Sequence, residues 1–453
     1  MELYCLSMHA LAFGNFASLT HSTRPTTLDG TMNIFLCYGY VPHTTAVYFE
    51  KALRKDHSVH HIGTPFGERL GRSPNEDLAD LVEKGILPKP DLVLFMESGS
   101  KFFPRGLEQL DCPTAGYLID VHADFWVREN YAHFFDHIFV AHKDYVNRFE
   151  QLGFQNVHWL PVACDADIHG KITSEQPYDI GFVGNLEANA ERRRLLLALD
   201  ERYTMNDFRL AYPKEDISKI YSRSKIVFNY ANSKDVNMRV FEALAAGSLL
   251  VTNRMENGIN DLLRAGEHFV EYTDQQSLFE QVDYFLTHDA ERQRIAETGR
   301  LAVLSEHTYD LRTSALLNAI LSPGAGTRCA KVRTMNPSQL RTAYGKVYST
   351  FRLVDAAFDE FDIAWQAKQG RLAAAHCLGI ALLRRLNATV KLSRLGPKES
   401  RRAQTLLKRR LLGYVARALP PTRQDRTQKG EAQACHSSRH TSGSRTTTTT
   451  TQG

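Results

Sequence analysis

Four short stretches carry side chains that could do chemistry on an anionic, hydroxyl-bearing ligand. In IDVHADFW (119–126), Asp120 and His122 stand at the end of an apolar run. Open α/β sheets place ligands beyond the carboxyl ends of their strands, and a histidine there can hydrogen-bond a sugar hydroxyl or a leaving phosphate. It can also be a purely structural histidine. In FVGNLEANAERRR (182–194), an apolar run ends at Gly184-Asn185, and a helix carrying Arg192, Arg193 and Arg194 follows. Backbone N–H groups, a helix N-terminus and nearby cations make such a turn a phosphate site. A tight turn beside a surface basic cluster would read the same way.

NMRVFEALAAGSLLVTN (237–253) holds a carboxylate inside an apolar helix: Glu242 sits among Val240, Phe241, Leu244, Ala245 and Ala246, with Gly247 as the stop. A buried carboxylate without a partner costs several kcal/mol or shifts its pKa. Its two acceptor oxygens suit a vicinal diol such as ribose, and Arg239, three residues earlier, could offset phosphate charge. The alternative is a surface Arg239–Glu242 pair. In RMENGINDLLRAGEHFV (254–270), Asn257 and Gly258 follow a strand and could turn N–H groups toward an anion, or form an ordinary connection.

The elements that must position these residues alternate strand and helix. Met32 opens the first strand, NIFLCYGY; the helix TTAVYFEKALRKDHSV, the strand HSVHHIG and the nearly all-apolar strands PDLVLFMES and TAGYLIDVH follow. Residues 32–168 thus read as a doubly wound Rossmann-like domain. GKITSEQP (170–177) is a linker, and the rhythm restarts over 178–321 with YDIGFVGN, ERRRLLLALDER, DFRLAY, KEDISKIYSRS and KIVFNYA. Residues 1–31 form a loose extension without the features of a signal peptide. Residues 331–419 are helical and basic, and 420–453, ending in TTTTTTQG, are expected to be disordered.

The chain has 453 residues, enough for two or three domains of about 100–200 residues each. No window approaches the ~20 apolar residues of a membrane helix. Seven cysteines, an odd number without a C-x-x-C pair, point to reduced thiols in a cytoplasmic protein and away from a disulfide framework or zinc site. Net charge is +4, but residues 371–453 hold 17 Lys/Arg against 3 Asp/Glu, a surplus of 14 that leaves −10 on the first 370. A basic amphipathic helix over 401–419, with Leu407, Leu411 and Val415 as its stripe, could dock on anionic lipid or pack on the body of the protein.

In their order, these motifs resemble the GT-B glycosyltransferases, specifically the CgeB-like "glycosyl transferases group 1" kind, over about residues 32–320. The strongest likeness runs through FEALAAG, NGINDLLRAGEHFVEYTD, SLFEQVDYFL and EHTYDLRTSALL. The resemblance implies two Rossmann-like domains facing a cleft, a nucleoside diphosphate sugar as co-substrate without a further cofactor, and a hydroxyl acceptor on a glycan, protein or lipid. It implies no nucleic acid, and a site that needs no metal because protein cations hold the diphosphate.

By that resemblance Glu242 matches the second glutamate of an E-x7-E pattern and holds the donor ribose. Gly184, Asn185, Arg192 or Arg193 and Arg239 hold the diphosphate, Asn257 and Gly258 approach it, and His122 with Asp120 serves the transfer. Two positions depart from the pattern. The first glutamate falls on Lys234, with Asp235 beside it, and Asn185 stands where an arginine usually follows the glycine. These departures keep open a catalytically silent GT-B-like glycan-binding or scaffold protein, and a nucleotide-sugar 2-epimerase of the same fold.

Overall fold

A computed structural model describes residues 30–64, 76–322 and 328–366. The loose N-terminal extension (bar its last two residues), the basic helix over 401–419 and the tail from 420 lie outside these residues.

Among the described residues, ten strands form two parallel sheets. The first holds β1 (Asn33–Cys37), β2 (Ser58–Ile62), β3 (Leu92–Met96), β4 (Thr114–Leu118), β5 (His137–Val140) and β6 (Val157–Trp159), in the order β2-β1-β3-β4-β5-β6. The second holds β7 (Tyr178–Gly181), β8 (Ser224–Asn229), β9 (Leu249–Asn253) and β10 (Val270–Tyr272), in the order β10-β9-β8-β7. Every residue of β3 and β4 is buried. Helices cover both faces of a doubly wound sheet, so its central strands have no solvent side and read as continuous apolar runs.

The helices are α1 (Thr45–Leu53), α2 (Leu78–Glu83), α3 (Phe125–Ala132), α4 (Asp144–Gln151), α5 (Ala166–His169), α6 (Ala190–Asp200), α7 (Lys214–Ser222), α8 (Met238–Ala245), α9 (Gln275–Thr287), α10 (Asp289–Glu306), α11 (Tyr309–Leu321), α12 (Pro337–Thr350) and α13 (Val354–Gln366). His288 stands between α9 and α10, its Nδ1 2.8 Å from the Tyr284 carbonyl.

DFRLAY does not form a strand. Asn206 ends the sheet instead: its Oδ1 accepts from Phe182 N at 2.8 Å and its Nδ2 donates to Phe182 O at 3.0 Å. A side-chain amide thus does what a neighbouring backbone would do. Only Met205 bridges to Ile180, on the side of β7 away from β8. The chain order therefore reverses at β7 and β8, as it does at β1 and β3 in the first sheet. Such reversals open a crevice at the strands' carboxyl ends.

The two domains are tied together by α11. Tyr309 stacks on Tyr48 at 5.0 Å, and Lys55 reaches Asp310 at 2.7 Å. Arg312 donates to the carbonyls of Pro161 and Glu306 and to His307 Nδ1. The described part of the basic extension packs on the first domain: Tyr344 Oη accepts from Gly106 N at 2.8 Å, and Arg333 pairs with the buried Asp136 at 3.1 Å.

His307 predicts an acid response. Its Nδ1 accepts from Arg312 and its Nε2 lies 3.1 Å from Leu262 O, an arrangement that fits only the neutral ring. Burial and the Arg312 charge lower its pKa to about 4. An unfolded chain takes up this proton near pH 6.5, so the contribution is complete above 6.5 and is lost as pH falls toward 4. The full effect is of order 3 kcal/mol. The melting temperature should drop between pH 7 and 4.5, and His307→Gln, measured alongside, should flatten part of that drop.

Candidate functional site

The carboxyl ends of both sheets face one cleft of about 410 Å3, lined among others by Thr44, Asp120, His122, Arg192, Arg239 and Glu242. The turn after β1 brings Thr44 and Thr45 to its edge, at the N-terminus of α1. Their hydroxyl oxygens are buried without a hydrogen-bond partner. Among the described residues, eight of the nineteen buried side-chain polar atoms that lack a hydrogen-bond partner line this cleft, including Arg192 Nε, Asn232 Oδ1 and Asn237 Oδ1. Such groups are costly in a closed interior, and their concentration marks a surface built for a polar ligand.

Arg239 opens α8. It donates to Val183 O from Nε at 3.2 Å and from Nη2 at 2.7 Å, and to Asn229 Oδ1 from Nη1 at 2.8 Å. It lies over Phe182 at 4.4 Å, so the ends of β7 and β8 fix it at the point where strand order reverses. Gly184 makes this possible: a Cβ there would stand 2.3 Å from Arg239 Nη2. Arg192 approaches from α6, only 6% exposed, and is held by the Asn185 carbonyl. Burial and the Arg239 charge lower its pKa. Neither arginine has a carboxylate partner among the described residues. Two like charges brought together at a cleft call for an anion, and α8 begins there without a side-chain cap over its N–H groups.

Glu242 is one turn further along α8 and 7% exposed. It makes neither an ion pair with Arg239 nor a hydrogen bond among the described residues, so the surface-pair alternative does not describe it. Its Oε1 lies 3.7 Å from His169 Nε2. His169 Nδ1 accepts from Asp165 N at 3.0 Å, which leaves the proton on Nε2, facing both Glu242 and Tyr48 Oη. Burial lowers the His169 pKa and keeps the ring neutral. Nothing in the sequence around His169 signalled this role.

Asp235 rather than Lys234 enters the cleft. Lys234 points outward to Glu256 at 2.8 Å, while Asp235 is 6% exposed. The Asp235 Oδ2 atom lies 2.8 Å from His122 Nδ1 and 3.3 Å from His142 Nε2. Burial pushes the Asp235 carboxyl up, but His122, His142 and Asn257 outweigh it and hold the pKa below the usual value. Asp235, against partial burial, raises His122, while burial lowers His142. Asp120 lines the same wall with a left-handed backbone (φ 49°), a conformation that costs about 1 kcal/mol or more in a residue other than glycine.

Three expected ligands stand elsewhere. Arg193 is exposed and pairs with Glu187 at 3.1 Å. Asn257 lies behind Asp235, donating to its Oδ1 at 2.5 Å and accepting from Asp144 N at 3.0 Å. Gly258, with φ 86°, backs onto Trp159. The loop after β9 therefore meets the first domain instead of turning its N–H groups to the cleft. Asn185 contributes through its carbonyl and by capping the turn at Leu186–Ala188, its Oδ1 accepting from Glu187 N.

Residues 180–318 match a family described as glycosyl transferase-like. The fold is GT-B. Among solved structures, the GT-B chain is similar to Anabaena HepE in complex with UDP and glucose (12% identity, TM-score 0.49, 64% of this chain and 100% of that one). It is also similar to sucrose-phosphate synthase from Thermosynechococcus elongatus (12%, 0.46, 63% and 97%) and to the N-terminal domain of Candida albicans trehalose-6-phosphate phosphatase (11%, 0.49, 65% and 98%). No curated protein matches the chain. Among the described residues, no helix of this GT-B protein is long and apolar enough to cross a membrane.

Proposed function

We propose that the protein transfers a sugar from a nucleoside diphosphate sugar to a hydroxyl acceptor. The observation that carries this reading is the pair Arg192 and Arg239, two guanidiniums that among the described residues have no carboxylate partner, lining one cleft with the buried Glu242 carboxylate. Glu242 accepts from the ribose diol, and the arginines and the first turn of α8 hold the diphosphate. The acceptor enters from the first domain, past Thr44 and Thr45.

Departure of the diphosphate is the step that needs help. Fixed positive charge at the place where negative charge grows lowers its barrier, because no reorganisation is required as the bond breaks. His122, beside Asp235, supplies a further donor to the departing group or to the transferred sugar. His122→Ala is expected to lower kcat about 100-fold or more while binding of the nucleoside diphosphate stays nearly unchanged. Retention of activity within about twofold would make His122 a bystander.

Cys37, Cys112, Cys164 and Cys329 are free thiols, which suits a reducing compartment such as the cytoplasm. Incubation with a panel of nucleotide sugars tests the function itself. Release of nucleoside diphosphate that accelerates with an acceptor supports transfer. Tight donor binding with neither transfer nor slow hydrolysis would make the chain a silent binding protein.

A further inference from the structure

We propose that His122, His142 and Asp235 form a binding site for a divalent transition-metal ion of the Zn2+ or Co2+ type. One ligand atom from each residue lies within 4.8 Å of the others, and His122 Nδ1 and His142 Nε2 both approach Asp235 Oδ2. Ligand distances of about 2.0–2.2 Å around a tetrahedral ion place neighbouring ligand atoms roughly 3–3.5 Å apart. The 3.3 Å between His142 and Asp235 already meets that, and the 2.8 Å between His122 and Asp235 needs only a slight opening.

An ordinary histidine–aspartate hydrogen bond describes the cluster less well. Although 2.8 Å apart and electrostatically coupled, His122 Nδ1 and Asp235 Oδ2 are poorly aligned as donor and acceptor. The two imidazole rings stand edge to face, 5.1 Å between centroids and 88° between planes. Two histidines and one carboxylate are a donor set suited to borderline cations rather than to Mg2+ or Ca2+.

The surroundings also fit. Asn257 donates to the other Asp235 oxygen at 2.5 Å, the kind of outer partner that orients a ligating carboxylate. The nearby Arg128 is held by Glu97 at 2.6 Å, and Asp120 adds negative charge on the same wall. All three ligands line the cleft, so a bound ion keeps a coordination position open to an oxygen of whatever occupies it. Two ligands come from the first domain and one from the second, so the ion would also join the domains. This departs from the metal-free site that the family resemblance implied.

The test uses the full chain, stripped with a chelator and dialysed. Titration with Co2+, followed by visible absorption, should show one saturable equivalent per chain, and Zn2+ should raise the melting temperature by several degrees. Asp235→Asn and His122→Ala, each checked for a cooperative melt, should lose that equivalent. His268→Ala, which alters a histidine outside the cluster, should keep it. The readout needs neither donor nor turnover, so its outcome is separate from that of the proposed transfer reaction. Absence of a saturable equivalent up to about 100 μM Co2+, or the same equivalent and spectrum in both cluster variants, overturns the site.

Discussion

Arg239→Met is expected to lower affinity for a nucleoside diphosphate by at least ~100-fold. Each charge-assisted hydrogen bond contributes about 1.5–3 kcal/mol, and one guanidinium can make two to a diphosphate. The methionine retains part of the packing on Phe182 and removes the charge. Part of the wild-type guanidinium is already engaged by Val183 O and Asn229 Oδ1, so the variant also loses those bonds and leaves the two acceptors with their weaker donors, Tyr221 Oη at 3.4 Å and Asn237 Nδ2 at 3.2 Å. Stability should therefore fall modestly while donor binding falls steeply. Calorimetric titration beside a melting curve separates the two. An affinity within threefold of wild type would remove Arg239 from the diphosphate site.

Glu242→Gln should weaken donor binding at least ~10-fold, because it removes the charge and turns one of two acceptors into a donor. Its effect on stability should go the other way. In the free protein the Glu242 carboxylate is buried, with His169 Nε2 at 3.7 Å, so a neutral isostere relieves a desolvated charge. A melting temperature that holds or rises, together with weakened binding, is the expected pattern. The same nucleoside without phosphates should lose affinity in the Gln variant too, since the contact is to ribose. Arg239→Met should scarcely affect that ligand.

Glu242 was legible because a carboxylate in an apolar helical run has few explanations, and the end of β4 at Leu118 was legible because central parallel strands are apolar throughout. The cluster at Asp235 was not. His122, His142 and Asp235 come from loops far apart in the sequence, and only the facing of two domains brings them together. The departure at Lys234 resolves at the level of backbone: Ser233 and Lys234 both take left-handed conformations, which turns Lys234 outward and Asp235 in. DFRLAY misled because its alternation matches a strand, yet Leu210 is exposed and the Asn206 side chain had already closed the sheet edge. Asn257 and Gly258 misled because a loop that ends a strand near a cleft can equally brace the opposite domain.

The central claim is that the cleft holds a nucleoside diphosphate between Arg192, Arg239 and Glu242. Calorimetric titration of the wild-type chain with UDP, GDP, ADP and TDP, each beside its monophosphate, tests it most directly. The account predicts that at least one diphosphate binds at one equivalent per chain with Kd below ~100 μM, and that its monophosphate binds about tenfold or more weakly. No diphosphate binding up to about 1 mM, or a diphosphate bound no better than its monophosphate, would contradict it.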